Sequence, residues 1–156
     1  MKISATILAA GQSLRMDNDN KLLLPIEGVA IIEHVCKTIL SVNINPVIVI
    51  TGYENENVSQ SIPKEVDNIV YNPDWDSGMA SSIYKGISSL PENVDGNMIV
   101  LGDMPMISQN IYNQLIKSKN NKEIIIPTYK GQQGNPVLFS TMLKKEIMTI
   151  QGDVGA

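Results

Sequence analysis

The sequence predicts an α/β fold, a mostly parallel sheet with helices on both faces, and three observations carry the prediction. Short β-rich runs such as 3–8, 47–50 and 97–101 recur along the chain. Between them lie segments whose apolar residues repeat at helical spacing. That alternation implies βαβ units, hence parallel strands joined by helices. The length, 156 residues with 43% apolar side chains and a mean hydropathy near zero, suits one domain that can bury a core.

Taken in order, residues 3–8 read as a buried first strand, and a second apolar run covers 22–26, closed by the turn Glu27-Gly28. Residues 30–42 place Ile31, Ile32, Val35, Cys36, Ile39 and Leu40 on one helical stripe. Pro46 opens the strand 47–50, a short polar helix covers 54–61, and Pro63 ends it. A third strand, 68–71, runs into the turn-rich stretch 72–78 and then a helix from Met79 to about Leu90. Residues 97–101 form a fourth strand, 108–119 a helix and 123–126 a fifth strand. A sixth strand, 137–139, follows Gly134-Asn135-Pro136, and 141–150 reads as helical.

Composition narrows the function. A formal net charge of −4 argues against coating nucleic acid or an anionic membrane. Cys36 is the sole cysteine, so an intramolecular disulfide and a cysteine metal cage are excluded. No apolar run is long enough to cross a bilayer, and Met1-Lys2 leads straight into a strand rather than a signal peptide. The expected location is the cytoplasm. His34, the lone histidine, falls off the apolar stripe and is expected at the surface. Cys36 lies on that stripe and is expected as a buried small hydrophobe.

The chemistry concentrates in residues 8–21, a long loop after the first strand. Long loops in compact domains are usually functional or disordered. Gly11 allows the backbone to turn sharply and bring its N–H groups near an anion. Arg15, the only arginine among twelve Lys and Arg residues, offers a planar donor fork, and Lys21 a compact mobile charge. The dinucleotide fingerprint G-x-G-x-x-G fails here, because position 13 is Ser and position 16 is Met. The P-loop pattern fails as well, because Met16 and Asp17 stand at its Gly and Lys positions. Asp103 follows the apolar run in MIVLGDMP. In open parallel sheets ligands bind beyond the carboxyl ends of strands, where strand order reverses. If the first and fourth strands are neighbours, Asp103 faces the glycine loop. A carboxylate beside a triphosphate requires a cation, and Mg²⁺ suits one or two carboxylates plus phosphate oxygens.

The segments LAAGxSxRM…K, GMxSS, LGDMP, GNPVLF and GDVGA, in this order, resemble the MobA-like nucleotidyltransferases, and more narrowly the molybdenum cofactor cytidylyltransferase branch. The resemblance implies a three-layer Rossmann-like nucleotidyltransferase fold and transfer of CMP from CTP to the terminal phosphate of molybdopterin, with release of pyrophosphate. It implies Arg15, Lys21 and Asp103 as catalytic residues, with Leu8, Ala9, Ala10, Gly11 and Ser13 also holding the nucleotide. Gly78, Met79, Ser81 and Ser82 would lie beside its base and sugar, at a helix start that attracts anions. Gly134, Asn135 and Pro136 would line the acceptor side; taken alone they are a turn before a strand. Asp103 and Asp153 would bind Mg²⁺. Trp75 has two readings, stacking on a ring or packing within its own loop. The product would pass to a molybdenum hydroxylase. In the family G-D-x-G-A is followed by an arginine and further structure, so the expectation is one domain, 1–156, lacking its C-terminal end. Three other readings remain: a GTP-dependent guanylyltransferase, from which Ala10 is the one distinction, a sugar-phosphate nucleotidyltransferase, and a non-catalytic carrier of the pterin cofactor.

Overall fold

The structure, a computed structural model, describes residues 1–12 and 19–152. Its strands are β1 (Ile3–Ala9), β2 (Pro25–Ile26), β3 (Val29–Ala30), β4 (Val47–Thr51), β5 (Asn68–Tyr71), β6 (Gly96–Leu101), β7 (Ile124–Ile125), β8 (Thr128–Tyr129), β9 (Gln132–Gln133) and β10 (Val137–Ser140). The helices are α1 (Ile31–Leu40), α2 (Asn55–Gln60), α3 (Met79–Ser88), α4 (Gln109–Ser118) and α5 (Lys144–Ile147). Six strands form the central sheet in the order β5-β4-β1-β6-β10-β7. The neighbours β5, β4, β1 and β6 are parallel, whereas β10 runs antiparallel to both β6 and β7. The link from β7 to β10 is too short for a crossover helix, which explains the reversed strand.

Strand alternation sorts side chains into two cores. Ile3, Ala5, Ile7, Val47, Val49, Met98 and Val100 pack with Ile32, Val35 and Ile39 of α1, Val58 of α2, and Tyr112 and Leu115 of α4. Ile48, Ile50, Ile99 and Phe139 point the other way, onto Ile83 and Ile87 of α3 and Ile147 of α5. These strands are buried on both faces, as continuous apolar runs dictate. The three-layer α/β expectation therefore holds.

Several local expectations need correction. The run 22–26 is not one element. Asn20 caps a 3₁₀ turn, Lys21–Leu23, by accepting from the Leu22 N–H at 3.1 Å, and Pro25 then opens a two-residue hairpin with β3. Residues 141–150 are a 3₁₀ turn, Thr141–Leu143, followed by only four α-helical residues, since Ile147 is the one buried side chain there. His34 is half-buried rather than free at the surface, its Nε2 lying 2.8 Å from the Ile26 carbonyl. Cys36 is fully buried, and burial with the nearby Glu33 charge pushes its thiol up to about 12.

Candidate active site

β1 lies at the centre of the sheet, where strand order departs in two directions, towards β4 and towards β6. Such a switch point opens a crevice at the carboxyl ends of its strands. Here the tips are tied together by main-chain bonds beyond the ladders. Gly102 N donates to Leu8 O at 2.9 Å, and Tyr53 N donates to Ala10 O at 3.0 Å. The approach is close enough to require glycine. A Cβ on Gly52 would lie 2.4 Å from the Trp75 Cβ and 2.8 Å from the Ala10 carbonyl. One on Gly102 would lie 2.8 Å from the Leu8 carbonyl.

A cavity of about 640 Å³ opens over these tips, large enough for a nucleotide. Leu8 and Ala9 line it from the end of β1, Ala10 and Gly11 from the residues just after it, Gly78, Met79 and Ser82 from the start of α3, and Asp103 from the loop after β6. Lys21 reaches the same place from its 3₁₀ turn, with Nζ 3.0 Å from Asp103 Oδ2. Both side chains are 42% exposed, so this pair adds under about 1 kcal/mol to stability. Its interest is chemical: a mobile cation and a carboxylate, 82 residues apart in sequence, share one wall of the crevice. Ser13 and Arg15, expected on the phosphates, lie outside the described residues, as does Asp153.

Ser81 is placed differently from its neighbours. It lies away from the cavity lining and accepts from Asn72 Nδ2 at 2.9 Å, with its own hydroxyl 2.9 Å from the Asp74 and Gly78 carbonyls. Asn72 is 2% exposed, also donates to Ser82 Oγ at 3.1 Å, and accepts from Asp74 N at 3.1 Å. This one amide thus sets the loop 73–78 against α3. Gly134, Asn135 and Pro136 do not line the cavity either. Because Val137 pairs with Ile99 in antiparallel register, they enter β10 at the carboxyl end of β6, the end from which Asp103 emerges. Gly134 N donates to Pro127 O at 2.9 Å, closing the root of the β8–β9 hairpin.

Gln12, Leu22, Asp76, Ser77 and Leu101 also line the cavity, and sequence reasoning did not single them out. The signal available for Asp76 and Ser77 was their position in the turn just before Gly78. Trp75 lines the cavity, and its ring packs edge-on against Tyr53 at 5.4 Å.

The fit of a divalent cation rests on the donor set. Among the described residues no group of three or more His, Cys, Asp or Glu side chains forms a metal cage. One carboxylate at the mouth of a nucleotide-sized cavity suits Mg²⁺ or Mn²⁺, whose remaining positions are filled by phosphate oxygens and water.

The MobA-like NTP transferase domain matches residues 5–156. The chain belongs to that family. Nicotine blue oxidoreductase of Paenarthrobacter nicotinovorans is 27% identical over 162 residues, covering 99% of this chain and 79% of that protein. Among solved structures, Rv0371c of Mycobacterium tuberculosis superposes with a TM-score of 0.88 at 23% identity, over 99% of this chain and 79% of that one. The same mycobacterial protein has also been solved as a manganese complex. A nucleotidyl transferase from Methanothermobacter thermautotroptrophicus superposes with a TM-score of 0.84 at 24% identity, over 97% of this chain and 78% of that one. At these identities the solved structures speak to the fold. Membership of the MobA-like family makes the chain a nucleotidyltransferase by class. Among the described residues, no helix is long and apolar enough to cross a membrane.

Proposed function

We propose that this chain is a molybdenum cofactor cytidylyltransferase, moving CMP from CTP to the terminal phosphate of molybdopterin and releasing pyrophosphate. The observation that supports it most is that Gly11 and Asp103 line one nucleotide-sized cavity at the switch point, with Lys21 paired to Asp103 beside it. Ala10, in place of the glycine of the guanylyl relatives, favours CTP over GTP.

The chain's residues have a limited task. A phosphate monoester has its second pKa near ~6, so at neutral pH the attacking oxygen is already deprotonated and no general base is required. What remains is alignment and neutralisation of charge on the α-phosphate and the departing pyrophosphate. Backbone N–H groups at Gly11 and the positive end of α3 face the phosphates and sugar, with Lys21 swinging from Asp103 onto the β- and γ-phosphates and Arg15 completing the clamp. Asp103, with Asp153 as its second carboxylate, would hold a divalent cation, which when bound supplies charge for the triphosphate. The acceptor enters from the side of residues 134–136.

A second reading comes from the nicotine blue relative, which matches 99% of the chain. In that reading the crevice holds a redox substrate, and the chemistry is oxidation and reduction rather than nucleotidyl transfer. One assay separates the two: pyrophosphate release with Mg²⁺ and each NTP, with and without molybdopterin, beside NADPH oxidation with a quinonoid dye. Acceptor-dependent release with CTP alone supports the proposal. Release with GTP alone moves the chain to the guanylyl branch, and NADPH oxidation without pyrophosphate overturns both.

A further inference from the structure

A second cavity, of about 540 Å³, adjoins the first, and Trp75 lines both. Its other walls come from the loop after β4, the first turn of α2 and the end of β5. They bring the rings of Tyr53 and Tyr71 together with the carboxylates of Glu54 and Glu56. The charge balance of this corner is one-sided. Residues 52–57 and 71–77 contain Glu54, Glu56, Asp74 and Asp76, and neither lysine nor arginine.

That lining selects by sign. A polyphosphate brought here would meet carboxylates with no compensating cation, whereas Lys21 attends the first cavity. Carboxylates beside aromatic faces favour an organic cation, through charge-assisted hydrogen bonds and attraction to the ring faces. The walls are also held in place. The Tyr53 and Trp75 rings meet at 5.4 Å and 61°, and the backbone at Gly52 has no room for Trp75 to move inward. Glu54 stands at φ +48, and its Oε1 accepts from Asn57 Nδ2 at 3.1 Å.

We propose that this aromatic, acidic cavity is a binding site for a small organic cation with an ammonium or guanidinium head. The cation sits against the Tyr71 and Trp75 side chains that line the cavity, with Glu54 and Glu56 as its counter-charges. Neither carboxylate belongs to the nucleotide cavity, so the site stands or falls independently of the cytidylyl reading.

Trp75 is the only tryptophan in the chain, so its emission reports on the site directly. The test is titration of the full chain with agmatine, followed by Trp75 emission and, in parallel, by calorimetry. Potassium chloride at matched ionic strength is the control. The expected result is saturable binding with agmatine only, weakened about tenfold or more in the Glu54→Gln/Glu56→Gln double variant and several-fold in Tyr71→Ala. A thermal melt of the double variant beside the unchanged chain checks that the fold survives. Absence of saturable heat and emission change up to about 10 mM agmatine overturns the proposal. So does equal affinity in the double variant, or an equal response to potassium chloride.

Discussion

The two sides of the crevice are built to different standards. On the β1–β4 side the strand tips are buried, cross-linked by main-chain bonds and packed so closely that positions 52 and 102 accept only glycine. On the β10 side the sheet ends in a two-residue strand, and the β8–β9 hairpin exposes all of residues 128–134, with Tyr129 76% exposed. In the proposed reading the rigid half takes the triphosphate, the same molecule for every such enzyme, and the half that the core least constrains takes the acceptor, which differs between them.

The contrast can be broken most severely at Asp103. Asp103→Ala should lower pyrophosphate release by about 10²–10³ at unchanged folding, because the carboxylate that would hold the charge-neutralising cation is lost while a half-exposed pair contributes little to stability. Near-full turnover in a single-turnover assay would remove Asp103 from the mechanism. Next in size is a matched pair of glycine changes. Gly52→Val forces a side chain into Trp75 and the Ala10 carbonyl and should cost about 1–3 kcal/mol, with weaker CTP binding. Gly131→Ala meets nothing within 4 Å and carries only the strain of φ +79, about 1 kcal/mol, with CTP binding intact. Equal losses of melting temperature in the two variants would contradict the rigid-versus-open distinction.

Tyr129→Ala should leave stability within about 0.5 kcal/mol, since the ring is exposed. In steady-state kinetics it should raise KM for the acceptor and leave KM for CTP unchanged; a change in the CTP value alone would place the hairpin on the wrong side. The smallest effect is alkaline. Cys36 and Tyr112, packed in the same core, are both pushed up to about 12, from 9.0 by burial and Glu33, and from 10.0 by burial. Each neutral form is favoured in the fold, so their contribution is complete below pH 9 and is lost as pH rises towards 12. Thermal melts should therefore decline across that window, less steeply in Cys36→Ala/Tyr112→Phe, and an identical slope would assign the decline to other groups.

Much of this was legible in the residues themselves. Strands 3–8, 47–50 and 97–101 were found because each is a continuous run buried on a parallel sheet, 68–71 because it is β-rich although it forms the exposed edge, and α1 because its stripe has an unambiguous period. The hairpins β2–β3 and β8–β9 were not found, since two-residue strands carry no period. The reversal of β10 was invisible because run length does not encode direction. For the site, Gly11, Lys21 and Asp103 were identifiable from residue type beside a strand end. Asp76 and Ser77 were not, because a turn residue gives no sign of which way it faces. Ser81 and Ser82 came together from the family resemblance, and of the two Ser82 lines the cavity, since neighbouring helical positions are about 100° apart and do not share a face.

Asn72 has one more implication. Its side chain reads three partners with donors on one end and an acceptor on the other, so an aspartate of nearly the same outline would reverse the polarity of the end that holds Ser81 and Ser82. The substitution Asn72→Asp would therefore unlatch the segment bearing the tryptophan. Pro73, which has no N–H on which that amide could cyclise, guards the latch against the spontaneous version of the same change.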